Sequence, residues 1–251
     1  MKTFKLTIEY DGTRFNGWQI QGQNCRTVQA EIERALEKIT HKRVRVFASG
    51  RTDSGVHAKG QVAHFHAAVR LDLPELLRAL NGNLPEDVSI ISIKDARKNF
   101  HAQFDAKRKT YRYTLLNRIA PPCLERQLCL HIPYKLNLQK MREAALILQG
   151  RHDFRAFMAS DPAKGKSIIE KDTVRRISHL DIKKKGDFIL IDVESNGFLY
   201  KMVRNIVGTL LFVGSGKLAP EHVRGILKSK DRNLAGDTAP ARGLCLMEVV
   251  Y

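Results

Sequence analysis

Residues 49–66 read SGRTDSGVHAKGQVAHFH, a polar loop followed by a segment in which apolar and polar residues alternate. The glycines at 50 and 55 predict a tight loop, because glycine adopts backbone angles that other residues avoid. The alternation that begins at Gln61 is typical of a strand with one buried side. This stretch therefore predicts a loop that presents polar side chains beside a strand.

Segments with the periods of strands and helices lie on both sides of this loop. Residues 3–9 alternate apolar and polar side chains, which predicts a half-buried strand. Apolar residues recur at helical spacing from Val28, and Thr27 is placed as the N-cap of that helix. Further strands are expected over 44–47, 61–66, 88–93, 110–116, 174–182, 188–195 and 244–251, with residues 183–187 as the turn between two of them. Further helices are expected over 73–80 and 138–148, and two more begin near Leu199 and Pro220.

This order of elements predicts an α+β protein with two halves, residues 1–104 and 105–251. Each half is expected to have antiparallel strands and helices packed on one face. The chain has 251 residues, of which 43% are hydrophobic and 27% charged. That composition is typical of a globular protein and argues against disorder.

The charge balance indicates an acidic partner. The chain has 43 Lys and Arg against 26 Asp and Glu, a formal net charge of +17. Nucleic acid and an anionic membrane surface are the natural counterparts of such a surplus. The longest apolar run, residues 206–214, is about half of the ~20 residues that a membrane-spanning helix needs, so we expect no membrane segment.

The four cysteines show no CxxC spacing, so the sequence predicts neither a zinc site nor a disulfide framework. The strand-like residues that follow the first methionine lead us to expect no signal peptide. We therefore expect a cytoplasmic protein with reduced thiols. His64 and His66 project from one face of a strand, but no third metal ligand stands at a sensible spacing, so no metal site is expected.

Asp53 lies in the densest polar cluster of the sequence. Arg51 stands two residues before it and His57 four residues after it. A neighbouring guanidinium favours an ionised carboxylate, and an ionised aspartate on a loop can act as nucleophile or general base. The alternative is that Asp53 only caps its own loop, as aspartates in turns often do. The local sequence leaves both interpretations open.

Residues 107–113, KRKTYRY, interleave cations with aromatic rings. On a strand, Tyr111 and Tyr113 share one face while Arg112 lies on the other. Rings that stack on unpaired bases and cations that meet phosphates are typical of proteins that bind single-stranded or flipped nucleotides. A pair of tyrosines on a half-buried strand, with a solvated arginine, explains the same pattern.

The expected helix from Leu199 has an apolar stripe, and its other face carries Lys201, Arg204 and Gly208. An arginine on a helix is usually a solvated charge. Here Gly208, one turn after Arg204, leaves room for another element to approach the arginine.

Taken together, these segments resemble the TruA family of tRNA pseudouridine synthases. The blocks that carry the resemblance occur in family order along nearly the whole chain. They are YDGTRFNGWQIQ, TVQAEIERAL, SGRTDSGVHAKGQVAHF, NGNLPEDV, AKRKTYRY, HDFRAF, GFLYKMVRNIVGTLL and GDTAPARGLCL.

The resemblance implies a role for four residues. Asp53 occupies the position of the essential catalytic aspartate, and Tyr111 that of the residue that packs on the target base. Arg204 is the expected ion-pair partner of Asp53, and Arg51 is expected to help extrude the target nucleotide. Extrusion costs a few kcal/mol and needs the support of cations and aromatic rings.

The resemblance also implies a mostly antiparallel sheet built from two related α/β halves, with a basic RNA-binding cleft between them. The expected activity is isomerisation of uridine to pseudouridine at positions 38, 39 and 40, in the anticodon stem-loop of tRNA. A homodimer without a cofactor is expected. The alternative is a catalytically silent tRNA-binding protein on the same scaffold, which would share the charge and the Tyr–Arg strand but would not need the aspartate.

Overall fold

The structure is a computed structural model that describes residues 1–22, 25–160 and 172–251. It is a mixed α/β fold. The elements, in chain order, are β1 (Lys2–Tyr10), α1 (Val28–Thr40), β2 (Val46–Ala48), β3 (His57–Ala67), α2 (Leu73–Asn83), β4 (Val88–Ala96), β5 (Arg108–Leu116), β6 (Leu130–His131), α3 (Leu138–Leu148), β7 (Gly150–Asp153), β8 (Val174–Lys185), β9 (Phe188–Ser195), α4 (Met202–Gly214), α5 (His222–Ser229) and β10 (Leu244–Val250).

The contacts divide the chain into two compact units. The first comprises Met1–Lys107 with Cys245–Tyr251, and the second comprises Arg108–Leu244. The last strand therefore packs with the beginning of the chain, because β10 pairs with β3. The two functional halves expected from the sequence, 1–104 and 105–251, stay a prediction.

The strands of the first unit follow the order β4-β1-β3-β10, and β2 also pairs with β3. Every one of these pairs is antiparallel except β10 with β3. Phe4, Leu6 and Ile8 are buried, as the alternation in residues 3–9 predicts. Phe4 lies opposite Phe65, and the two rings stack with centroids 5.0 Å apart.

The strands of the second unit follow the order β5-β9-β8-β7, all antiparallel, with the short β6 parallel to β5. Ile189, Ile191 and Val193 on β9 are fully buried. The buried residues of α4 include Met202, Val203, Ile206, Leu210 and Val213, all members of the predicted apolar stripe. The expected mostly antiparallel α/β fold is confirmed.

Several boundaries differ from the sequence predictions by a few residues, and three of these differences have a visible cause. β3 begins at His57 rather than at residue 61, because its pairing with β1 continues to Ala58 opposite Tyr10 and its pairing with β10 continues to His57 opposite Cys245. The lysines at 183–185 belong to β8, and only Gly186 and Asp187 form the turn, since Lys185 already pairs with Phe188. Helix α4 begins at Met202 rather than at Leu199, because Lys201 has left-handed backbone angles (φ +56°).

Thr27 is the N-cap of α1, as predicted, and its side chain accepts a hydrogen bond from the Ala30 amide. Within the described part of the chain, no helix combines the length and the apolar character that crossing a membrane requires.

Candidate active site

Asp53 lies in the loop that joins β2 to β3. The Val56 amide donates a hydrogen bond to the Asp53 carbonyl at 3.2 Å, which closes a four-residue turn. Gly55 is the third residue of this turn and has a φ of +77°. A turn with a positive φ at this position is of type II and favours glycine there. The glycine at 55 is thus required by the turn that presents the Asp53 side chain.

The residue before Asp53 is held through both its side chain and its backbone. The hydroxyl groups of Thr52 and Tyr10 are 2.7 Å apart in a buried position. The Trp18 amide donates to the Thr52 carbonyl at 3.0 Å. Gly17, with a φ of +89°, packs so closely that a Cβ on it would lie 2.6 Å from the Thr52 carbonyl oxygen.

The residues that flank the turn are held in the same way. The Ser54 hydroxyl donates to the Phe15 carbonyl at 3.1 Å, and the Gly55 amide donates to the same oxygen at 3.3 Å. The Gln61 amide group donates to the Gly50 carbonyl at 2.9 Å, before the turn. The Asp53 loop is therefore fixed against the segment between β1 and α1 and against β3.

His57 links the end of this loop to the end of β1. It is buried, and its Nδ1 accepts a hydrogen bond from the Gly12 amide at 3.1 Å. The same nitrogen lies 3.1 Å from Asp11 Oδ1. Partial burial opposes ionisation of Asp11, but the hydrogen bonds that the Thr13 hydroxyl and amide donate to this carboxyl lower its pKa below its usual value.

Asp53 itself is half-buried, and Arg51 is exposed to solvent on the same loop. Arg51 makes no hydrogen bond or ion pair with the part of the chain that the structure describes. The role in extrusion expected for Arg51 stays a prediction.

Tyr111 lies on β5 opposite Val193 and is 8% exposed. Its ring meets Phe198 edge to face, with centroids 5.1 Å apart. Tyr113 shares this face, as predicted, and is fully buried with its hydroxyl donating to the Pro240 carbonyl at 2.7 Å. The two tyrosines thus differ in burial: Tyr113 is fully buried, whereas Tyr111 keeps 8% of its surface exposed.

The cations around Tyr111 also differ in their surroundings. Arg112, on the opposite face of β5, forms a two-pronged ion pair with Asp192 at 2.7 and 2.8 Å, so it is not a solvated arginine. Lys109 lies on the Tyr111 face and is half-buried. Burial lowers the pKa of the Lys109 ammonium to about 8.

Arg204 lies in the first turn of α4 and is held by the segment 236–240. Its Nε donates to the Ala239 carbonyl at 2.7 Å, and the Ala239 amide donates to the Arg204 carbonyl at 3.2 Å. A Cβ on Gly208 would collide with the carbonyl oxygen of Asp237. The predicted close approach of another element at Gly208 is confirmed.

A buried polar network fixes the same segment from the next residue of α4. Asn205 is fully buried, and its Nδ2 donates to the Phe157 carbonyl at 2.8 Å. Its Oδ1 accepts hydrogen bonds from Thr238 Oγ1 at 2.6 Å and from the Arg232 guanidinium at 3.0 Å. Sequence reasoning missed these three residues.

The candidate residues therefore fall into two pairs. Asp53 and Arg51 share one loop of the first unit, and Tyr111 and Arg204 lie in the second. Tyr10, Phe15 and Gly17, which support the Asp53 loop, were quoted in a family block, but no periodic signal links them to a loop some forty residues later. His64 Nδ1 accepts from the Ala102 amide, and His66 Nδ1 bonds to Thr3. Within residues 1–22, 25–160 and 172–251 no three metal-ligating side chains are grouped.

Comparison with known proteins identifies the family to which the chain belongs. A family model described as tRNA pseudouridine synthase matches residues 6–105 and 144–251. Proteins called tRNA pseudouridine synthase A from Thermoanaerobacter sp. (strain X514) and Bacillus pumilus are 45% and 46% identical, over 100% and 98% of both chains. A tRNA pseudouridine synthase A 2 from Clostridium perfringens is 44% identical over 100% of both chains.

Among solved structures, the archaeal box H/ACA sRNP Nop10-Cbf5 complex is similar over 83% of this chain and 44% of that chain. The TM-score is 0.36 and the identity 12%.

The family model and the full-length relatives define the class of the protein, an RNA-modifying isomerase that forms pseudouridine. Within that class, the chain belongs to the tRNA pseudouridine synthase family. These full-length relatives are named as enzymes, which argues against the alternative of a catalytically silent binding protein.

Proposed function

We propose that this chain isomerises uridine to pseudouridine at positions 38, 39 and 40, in the anticodon stem-loop of tRNA. The resemblance of its sequence blocks to the TruA family supports these positions, and its full-length similarity to enzymes called tRNA pseudouridine synthase A supports tRNA as the substrate. The net charge of +17 suits a polyanion of this kind.

The observation that carries the proposal is the way Asp53 is presented. Its loop is held on both sides by Thr52, Gly17 and Phe15, and its side chain remains half-buried rather than enclosed. An aspartate that is fixed in place and still reachable can act as nucleophile or general base at a ribose or base atom.

The reaction rearranges bonds within one nucleotide. The C1′–N1 bond breaks, the uracil turns, a C1′–C5 bond forms, and the proton on C5 is lost while N1 gains one. We assign Asp53 to the catalytic step at the nucleotide. We assign Arg51 to extrusion of the target nucleotide, since its exposed guanidinium can occupy space and meet phosphate.

The second pair of residues has proposed roles in holding the substrate. Tyr111 is proposed to pack on the target base; the aromatic residue type at this place in the AKRKTYRY block and its edge-to-face contact with Phe198, which fixes the ring, support this. Arg204 is proposed as the cation that pairs with Asp53. The hydrogen bond from its Nε to the Ala239 carbonyl supports a preset orientation of the guanidinium, whose planar fork of donors suits a carboxylate.

We also propose that the protein acts in the cytoplasm as a homodimer, as the family resemblance implies. Sedimentation of the purified chain at micromolar concentration tests the dimer directly. A monomer across that range contradicts it.

The test of the proposed substrate is a map of pseudouridine in tRNA from cells that lack this protein. We expect pseudouridine to disappear from positions 38, 39 and 40 and to return when the wild-type gene is restored. Restoration of the Asp53→Asn variant serves as the matched control and should not return it. Unchanged pseudouridine at all three positions contradicts the proposal.

A further inference from the structure

A cluster of four rings lies on the first unit, away from the Asp53 loop. It consists of Phe47, His64, His101 and Phe104, and we refer to it as the ring cluster. Phe47 stacks on His64 with centroids 5.2 Å apart, and His64 meets His101 at 4.8 Å. His101 stacks on Phe104 at 4.2 Å. The four rings thus form one continuous set of contacts.

The ring cluster exposes apolar surface that the fold does not need to expose. Phe104 is 77% and Phe47 37% exposed, and these are the two exposed residues among the eleven phenylalanines of the chain, all of which the structure describes. Both belong to the same cluster. Exposed rings that gather at one place mark an interaction site more often than exposed rings that are scattered.

The segment that carries Phe104 is held in one conformation although it is exposed. The amides of Gln103 and Phe104 both donate to His101 Nδ1, at 3.2 and 3.4 Å. The His101 amide donates to Asp105 Oδ2 at 2.9 Å, and Arg97 pairs with the same oxygen at 2.9 Å. The rings are therefore presented without a large entropic cost on binding.

The face that the ring cluster shares with neighbouring strands is basic. Lys5 is the cross-strand partner of His64, and Lys94 is the partner of Lys5 on the next strand. The Arg45 guanidinium lies 5.6 Å from the Phe47 ring centroid. The Asp105 carboxylate is already paired with Arg97. Rings bordered by cations suit nucleotides, whose bases stack and whose phosphates are negative.

The Asp53 loop ends at His57, the first residue of β3, whereas the ring cluster contacts β3 at His64. His57 and His64 are separated by seven residues of β3, which corresponds to roughly 23 Å in a strand. A nucleotide that contacts the ring cluster is therefore not the target nucleotide.

We propose that the ring cluster is a second contact site for the tRNA substrate, where Phe104 and Phe47 stack on unpaired bases outside the target nucleotide. This inference rests on the proposed function, because it takes tRNA as the ligand. A second copy of this chain is a poorer occupant. The two exposed rings cover far less than the about 1,200 Å² of a stable interface, and like charges would meet across a two-fold axis.

The test compares Phe104→Ala and the double variant Phe47→Ala/Phe104→Ala with wild type for binding of a full-length tRNA transcript. We expect about tenfold weaker binding for the single variant and a further loss for the double variant. Phe104→Tyr keeps the ring and should bind within twofold of wild type. Ile119→Ala is the matched control, because Ile119 is 86% exposed but lies in the other unit.

Two further readouts identify the kind of contact. The slope of log K against log salt should be the same for Phe104→Ala and wild type, because stacking releases no counterions. The loss should appear in the KM of the isomerisation rather than in kcat. Equal binding by wild type and both alanine variants overturns the proposal. So does a dimer that dissociates on the Phe104→Ala change, which would assign the cluster to contact between copies.

The test also separates this inference from the proposed function. Wild-type protein that binds the transcript through the cluster but forms no pseudouridine contradicts the proposed function alone. Pseudouridine formation with equal binding by all variants contradicts the ring cluster alone. Wild-type protein that does not bind the transcript contradicts both.

Discussion

Gly17 illustrates at the scale of one residue how the Asp53 loop depends on a distant part of the sequence. Its φ is +89°, and a Cβ on it would lie 2.6 Å from the Thr52 carbonyl oxygen. We expect Gly17→Ala to lower the free energy of unfolding by about 1–3 kcal/mol, from the left-handed backbone and the collision together. We also expect isomerisation to fall by more than the folded fraction falls, because the loop must shift.

Gly22→Ala is the control for this change, since Gly22 is exposed and, apart from its chain neighbours, no described residue has an atom within 4 Å of a Cβ placed on it. Thermal unfolding and tritium release from uridine-labelled tRNA should be nearly those of wild type for Gly22→Ala. Full activity of Gly17→Ala would show that the close packing does not position Asp53.

The second prediction at the scale of one residue concerns the contribution of the Tyr111 ring to tRNA binding. Tyr111→Phe keeps the aromatic face and loses the hydroxyl, whereas Tyr111→Leu fills much of the same buried space without a flat ring. If the ring packs on the target base, Phe should bind tRNA close to wild type and Leu about five- to tenfold more weakly. Binding measured alongside thermal unfolding checks this, and equal binding by Phe and Leu proteins contradicts the stacking role.

The packing of α4 is a prediction at the scale of an element. A Cβ on Gly208 would collide with the Asp237 carbonyl, whereas a Cβ on Gly225 in α5 meets nothing within 4 Å. We expect Gly208→Ala to destabilise the protein by about 1–3 kcal/mol and to reduce activity, because the segment that holds Arg204 must move. Gly225→Ala should instead stabilise by about 0.5–1 kcal/mol.

Chemical unfolding of Gly208→Ala and Gly225→Ala measures the change in the free energy of unfolding that each substitution causes. Since both glycines lie in helices, helix propensity alone would make both substitutions by alanine stabilising. A Gly208→Ala protein as stable and active as Gly225→Ala would contradict the role of the close approach.

The elements also show how far the sequence alone could predict this structure. Local hydrophobic period was enough to predict β1, and period together with the Thr27 N-cap was enough to predict α1. The small residue at 208 correctly indicated the close approach of another element. The start of β3 was misplaced, because pairing with β1 and β10, rather than local period, extends that strand to His57. Where pairing with another strand sets the end of a strand, the sequence of that strand alone does not predict the end.

The candidate site shows the same limit. The sequence indicated Asp53, Arg51 and Tyr111 through residue type and family blocks. It did not indicate the bond between Thr52 and Tyr10 or the one between Thr238 and Asn205, whose members are 42 and 33 residues apart. The ring cluster was missed because Phe47, His101 and Phe104 come together only through strand pairing and a later loop.

The charge of the whole molecule gives a prediction about salt. With a net charge of +17, binding of tRNA should release several condensed counterions. We expect the logarithm of the binding constant to fall linearly and steeply with the logarithm of salt concentration between about 50 and 200 mM. Binding of the same transcript measured at four or five salt concentrations checks this, and a slope near zero contradicts a protein that tracks phosphates.

The central claim, that this chain forms pseudouridine through Asp53, is tested most directly by tritium release and thermal unfolding of one purified variant. Asn nearly matches Asp in shape and can still accept hydrogen bonds, so Asp53→Asn should fold with nearly unchanged stability and bind tRNA within roughly tenfold of wild type, about 1.4 kcal/mol. It cannot serve as an anion, base or nucleophile, and we therefore expect no detectable release of the C5 label. Robust turnover by Asp53→Asn, or a loss of turnover that follows a fall in melting temperature, would contradict the assignment.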